Sequence, residues 1–503
     1  MGARVYVPLW LFVAMAALSA WALGVLLLAP GMRWFFRRRV NRVIAQINSS
    51  LKVELPSFKL TRRQVLIDRL FHDPQVQAAA AAFAASEAAP LPAVWKRIDR
   101  YAREIVPSFN AYLYFRLGYA LSRAAARALY RVRIGHLDET ALAKVDPHST
   151  VVFVINHRSN MDYILVAFLA AERAALSYAV GEWARIWPLQ QMVRAMGGYF
   201  VRRNSGDPLY RTVLSRYVQM ATEAGVIQAV FPEGGLTLDG RLRPPKLGLL
   251  DYMLKGFDER EGGGRRDLVF IPVGINYDRV LEDRTQLLAL RPDRPKPGWL
   301  TTSLRTIGFA LENLGLILTG RWHRLGYACV NFGTPISMRA YAQTHGLHFP
   351  DLTDGERREP VARLGARLMG AIGEVVPVLP VSLVASVLVQ EPQRSFSELE
   401  LKSEAHALMR ALEAAGAHLY IPRQDHDYAF SVGLRMLTLR RVVRISDGLY
   451  RADPAQSDAL AYYANAIVHL VEKAGRSRPG GSQQPGPTGS TAGSAGSPGG
   501  PWA

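Results

Sequence analysis

The chain has 503 residues, 49% hydrophobic and 20% charged, a composition that fits a folded globular protein and excludes a disordered one. A formal charge of +19 and a pI near 10.1 imply an anionic partner, and charge alone leaves nucleic acid, a lipid surface and a phosphorylated substrate open. The single cysteine, Cys329, excludes a disulfide framework and a cysteine-based zinc site.

Val5 to Pro30 carries no charged residue and is long enough to cross a hydrocarbon core of about 30 Å. The apolar region of a cleaved signal peptide is shorter, about 7 to 15 residues, so the run predicts a single transmembrane helix. Arg33, Arg37, Arg38, Arg39 and Arg42 follow it, against Arg4 in front. The positive-inside rule then places the rest of the chain in the cytoplasm, anchored to the cell inner membrane by residues 1–42. Residues 43–144 read as helical, with the Ala-rich "QVQAAAAAFAASEAA" broken at Pro90 and Pro92. Around Tyr112 to Arg133 helical spacing stacks Arg123, Arg127 and Arg131 on one side, which suits a solvated basic face and a lipid-facing one equally.

Over 145–345 the texture changes. Short β-rich runs, "VVFVIN" at 151, "LSYAV" at 176, "GGYFVRR" at 197, "VIQAVFPEGG" at 226, "LVFIPVGINY" at 268 and "GYACVNFGTPI" at 326, alternate with helical stretches. That pattern predicts an α/β domain with a buried, mostly parallel sheet. Residues 346–475 return to helical periodicity, and 476–503 form a Gly/Pro/Ser tail too poor in apolar residues to pack.

The candidate chemistry begins at "NHRSNMDY", residues 156–163. On a continuous helix, five residues rotate the chain by about 500°, which would keep His157 and Asp162 apart. They meet only if the histidine lies on a turn between a strand end and the first turn of the next helix. There the carboxylate fixes one imidazole nitrogen and frees the other to take a proton, with a substrate hydroxyl as nucleophile. The plain alternative is ordinary helix capping by Asn156, Ser159 or Asn160. Arg202 and Arg203 just past a strand suit bidentate phosphate binding, or a solvated strand end. Glu233 precedes Gly234 and Gly235, whose backbone can approach a ligand closely or merely turn. Arg241, Arg243 and Lys246 add positive charge, and "VFIPVGINYD" is expected to end a further strand with Pro272. Four such strand ends point to one crevice at the carboxyl edge of a sheet.

In this order "NHRSNMD", "GGYFVRR", "FPEGG" and "FIPVGINYD" resemble the four blocks of the glycerolipid acyltransferase superfamily, the first being His-x4-Asp. The HRS opening, the paired arginines, Glu-Gly-Gly and "RPPKLGLL" look most like its glycerol-3-phosphate and dihydroxyacetone-phosphate acyltransferase branch. "YYANAIVHL" at 462–470 is similar to a Tyr-Tyr-x-Asn helix of that branch. The resemblance implies that His157 is the general base on a glycerol hydroxyl, oriented by Asp162. It also implies that Arg202, Glu233 and Gly235 belong to the glycerol-phosphate block and Pro272 to the block near the acyl chain. Acyl-CoA or acyl carrier protein is the implied donor, glycerol 3-phosphate the acceptor and lysophosphatidic acid the product, at a membrane, with no cofactor or metal. Two positions depart from the branch. Asn160 stands where a second histidine is usual, and Leu236 where an arginine follows Glu-Gly-Gly; Arg241 or Arg243 is expected to compensate for the latter.

Rival readings fare less well. There is no G-x-S-x-G for a serine hydrolase, no Walker loop or G-x-G-x-x-G for a nucleotide enzyme, and no nucleic-acid motif. A lysophosphatidic acid acyltransferase shares the His-x4-Asp core and the "FPEG" form of the third block, while Gly235 and the C-terminal helix favour glycerol 3-phosphate. A non-catalytic membrane scaffold could keep the same fold, but the joint presence of His157, Asp162 and Glu233 argues for catalysis.

Overall fold

The computed structural model describes residues 56–476 except 171–175, 182–183, 186, 188, 203–204, 259–265 and 291–324. The apolar run 5–30, Arg203 and the tail from 477 lie outside these residues. Among those described, no helix is long and apolar enough to cross a membrane.

A mixed sheet organises the molecule. Its strands are β1 (Arg131–Leu137), β2 (Thr150–Ile155), β3 (Ser177–Val180), β4 (Gly198–Phe200), β5 (Gln228–Val230), β6 (Leu268–Tyr277), β7 (Tyr327–Phe332) and β8 (Ile336–Ser337). They lie in the order β1-β7-β6-β2-β5-β3-β4, with β8 also on β6. From β6 to β4 all pairings are parallel, while β7 runs antiparallel to β6 and parallel to β1. The carboxyl ends of β2, β3, β4, β5 and β6 therefore share one edge.

Alternation along the strands sends side chains to two cores. In β6, Leu268 and Phe270 face a cluster with Ile98, Tyr101 and Ile105 of helix α1 (Leu91–Ile105), whereas Val269, Ile271, Val273, Ile275 and Tyr277 face the other. Burial on both faces explains why the strands read as nearly continuous apolar runs. On the first face, helix α4 (Pro208–Glu223) begins at Asp207, whose carboxylate accepts from Leu209 N and Tyr210 N. On the second lies the C-terminal region. Helix α7 (Pro380–Leu388), apolar all round but for Ser382 and Ser386, is buried over its whole length beside α8 (Glu398–Ala414), α9 (His426–Leu439) and α10 (Ser457–Asn465).

Two elements differ from the sequence reading. Residues 131–137 form the edge strand β1, although the arginine spacing through Arg131 suggested helix; the helix (α2, Tyr119–Leu129) stops at Tyr130 and the chain turns to pair with β7. A hairpin, β9 (Val443–Ser446) and β10 (Leu449–Ala452), interrupts the C-terminal helices at Asp447-Gly448, both with positive φ. Pro272 does not end β6, which continues to Tyr277. It sits opposite Val154, between the stretch paired with β8 and the stretch paired with β7, where its missing N–H breaks no ladder.

Candidate active site

His157 lies in the loop after β2, and Asp162 is in the first turn of helix α3 (Met161–Ala170). The strand, turn and helix arrangement brings them together: His157 Nδ1 is 3.0 Å from Asp162 Oδ2. That same oxygen accepts from Arg158 N (2.8 Å) and Ser159 N (3.0 Å), and Oδ1 accepts from the Tyr277 hydroxyl. An acceptor-only carboxylate suits four donors, and its place in a first helical turn adds the dipole's support. It assigns the Nδ1–H tautomer to His157 and leaves Nε2 as the basic nitrogen. Burial and the adjacent Asp162 charge push the Tyr277 phenol well above its ordinary value, so it remains a donor.

The loop after β5 holds the histidine backbone from both sides. Glu233 Oε1 accepts from His157 N (2.8 Å), and Thr237 N donates to His157 O (2.9 Å). The other Glu233 oxygen accepts from Arg243 N (3.0 Å). Both carboxylate oxygens are thus engaged by this chain's own backbone, so Glu233 clamps the base to the loop and does not project toward an open ligand space. Burial pushes its carboxyl up to about 7, against the two N–H donors and the Arg158 and Arg243 charges. Asn156 acts as backbone rather than as a helix cap: its amide donates to Ile275 O (2.9 Å) and accepts from Ile275 N (2.7 Å), prolonging the β2–β6 ladder by one rung.

The imidazole is walled in. Its ring lies 4.3 Å from that of Phe231 and edge-on to Tyr163 at 5.4 Å, and 3% of the side chain is exposed.

The remaining predicted residues separate into three places. Arg202, past β4, forks onto Glu104 of α1 with Nε and Nη2 at 2.9 and 2.7 Å, and stacks on Tyr101 and Tyr210; β5 and β3 stand between its strand and β2. Gly234 is exposed and Gly235 buried in the clamp loop, where Lys246 N donates to Pro232 O (2.8 Å) and the Arg241, Arg243 and Lys246 side chains are exposed. The Arg243 guanidinium donates to the Leu236 carbonyl (3.2 Å), which sets a cation beside the position where the resembling branch carries arginine. Pro272 is buried mid-sheet. Among the described residues no group of His, Cys, Asp and Glu is placed to hold a metal ion.

Family models for an acyltransferase domain and for the glycerol-3-phosphate acyltransferase C-terminal region match residues 136–276 and 311–474. These matches support a place in the glycerolipid acyltransferase superfamily. Within it the similar proteins fall in the glycerol-3-phosphate branch. The glycerol-3-phosphate acyltransferase of Pseudomonas putida is 27% identical over 447 residues, covering 86% of this chain and 52% of its own length. That of Aeromonas hydrophila is 27% identical over 427 residues, covering 82% and 50%. The chain spans about half the length of the curated relatives it matches. The crystal structure of a 1-acyl-sn-glycerophosphate acyltransferase from Thermotoga maritima aligns over 51% of this chain at 16% identity with a TM-score of 0.29, too low to bear on the fold.

Several residues around the His157–Asp162 pair escaped the sequence reading. Tyr277 stood inside the quoted fourth block, which drew attention to Pro272 instead. Ser159 Oγ donates to Glu282 Oε2 (2.7 Å), and Asn160 N donates to Glu282 Oε1 (3.2 Å), so Glu282 fixes the middle of the His-x4-Asp loop. Glu282 lies outside every block, and no spacing signals it.

Proposed function

We propose that the chain transfers a fatty acyl group from acyl-CoA or acyl carrier protein to the sn-1 hydroxyl of glycerol 3-phosphate, giving lysophosphatidic acid for phospholipid synthesis. The observation that carries this reading is the His157–Asp162 contact at a strand end, with Nδ1 tied down and Nε2 left to act. His157 Nε2 takes the proton from the acceptor hydroxyl as its oxygen attacks the thioester carbonyl carbon; the C–S bond then breaks and the thiolate takes the proton from the imidazolium. General-base assistance of this kind contributes about 10² to 10⁴ in rate. No protein nucleophile is needed.

The relatives' names support the acceptor, and the Arg243 guanidinium beside Leu236 supplies a charge suited to its phosphate. Arg202 joins phosphate binding only if Glu104 releases it. A membrane setting, with a single-pass anchor and the catalytic part cytoplasmic, is supported by the uncharged run 5–30 and its trailing arginines. The helical stretch 112–129 also supports it: Tyr112, Leu113 and Leu121 are exposed on it, as are Arg123 and Arg127.

The test offers the full chain glycerol 3-phosphate, dihydroxyacetone phosphate and lysophosphatidic acid side by side with one acyl-CoA, read by product mass. Glycerol 3-phosphate is expected to dominate; dominant turnover of lysophosphatidic acid rejects the acceptor assignment.

A further inference from the structure

The Tyr-Tyr-x-Asn helix, α10, belongs to the C-terminal region, yet it touches both loops that hold His157. The Tyr462 hydroxyl donates to Gln286 Oε1 at 2.7 Å, from helix α5 (Asp283–Ala289), and Gln286 Nε2 donates to Arg158 O at 2.9 Å. The N–H of that same peptide, Ser159 N, donates to Asp162 Oδ2. The Arg158–Ser159 peptide plane is thus gripped at both ends, its carbonyl by the C-terminal region through Gln286 and its amide by the orienting carboxylate. On the other loop, Asn465 Nδ2 donates to Asp239 O at 2.9 Å. Gly240 has φ +88° and packs so closely that a Cβ there would lie 2.0 Å from Tyr462 O. This loop carries Thr237, the donor to His157 O.

The Tyr462 ring has a second task. Arg158 is 2% exposed, and its Nη1 donates to Gly240 O at 3.2 Å; Nε and Nη2 are buried with no partner among the described residues. Its Cζ lies 5.2 Å over the Tyr462 ring, whose π face offsets part of the cost of burying that charge.

We infer that Tyr462, acting through Gln286, is a positioning residue for the His157–Asp162 dyad, so that the C-terminal region completes the active site of the acyltransferase domain. Removing the hydroxyl takes away the anchor of Gln286, so the Arg158–Ser159 peptide is held less firmly, the amide on Asp162 loosens and Nε2 drifts from its aim. Small misplacements of this kind cost turnover rather than binding.

The inference rests on the proposed acyl transfer only for its kinetic arm. Tyr462→Phe keeps the ring and removes one hydroxyl; Gln286→Leu removes the middle of the relay. Each is expected to lower kcat about tenfold with KM for both substrates unchanged, and the double variant to be no worse than the poorer single one, as members of one chain of contacts are non-additive. Hydrogen exchange read by mass is expected to quicken in residues 156–162 and to stay unchanged in β2. If the wild type acylates nothing, the functional reading fails and the exchange arm alone decides. Unchanged kcat in an active protein, unchanged exchange in 156–162, additive losses, or faster exchange throughout the sheet each overturn the positioning role.

Discussion

Asp162 accepts from four donors, and Glu233 divides its two oxygens between the backbones of His157 and Arg243; together these two buried carboxylates set the position of His157. Glu233 carries a testable electrostatic signature. Its carboxyl titrates near 7 when folded and near its ordinary 4.5 when unfolded. Between those values the folded chain binds more protons than the unfolded one, so this group's contribution is greatest below about pH 4.5 and declines as pH rises to about 7. Glu233→Gln is expected to flatten that part of the dependence of the urea midpoint on pH, at the cost of one backbone hydrogen bond; an undiminished slope assigns the titration elsewhere. The His-x4-Asp pair was legible because only a turn lets residues five apart meet. The clamp role of Glu233 and the ladder role of Asn156 were not, because each depends on which backbone groups another strand presents, and spacing within one segment carries no record of that.

At the scale of elements, the runs at 151, 176, 197, 226, 268 and 326 all contain strands, since burial on both faces writes an apolar run of strand length. Strand β1 was hidden because it sits at the sheet edge with Arg131, Arg133 and Ile134 exposed, and its "RVRIGHL" lacks a buried strand's signature. The β9–β10 hairpin had a readable cue in Asp447-Gly448, the pair favoured in a two-residue turn, which the helical texture around it masked. The sheet meets its helices with little slack. At Gly274 of β6 a Cβ would lie 2.4 Å from Val375 O, at the end of helix α6 (Arg358–Val375). Because both contacting elements are regular backbone, Gly274→Ala is expected to destabilise the fold by about 1–3 kcal/mol or more, seen as a lower urea midpoint at unchanged slope. A midpoint equal to the wild type's would mean that helix and strand can separate freely.

Over the whole molecule, one hydrophobic cluster joins Val273, Ile275 and Tyr277 of the sheet to Val384, Phe430, Tyr462 and Tyr463 of the C-terminal region. Separate helical and α/β segments were readable from changes in periodicity, but their union in one core was not, because long-range packing leaves no local pattern. Charge pointed to an anionic partner without saying which anion. The loops after β2 and β5 brought together the dyad and its clamp, while Arg202 went to Glu104. The proposed function requires His157 Nε2 to withdraw a proton from an alcohol. The most direct measurement is steady-state transfer from an acyl-CoA to glycerol 3-phosphate by the 503-residue chain and by its His157→Ala variant, followed by product mass. Lysophosphatidic acid from the wild type, reduced by about 10² to 10⁴ in the variant at unchanged melting temperature, is the predicted result; equal turnover by the two proteins would contradict it.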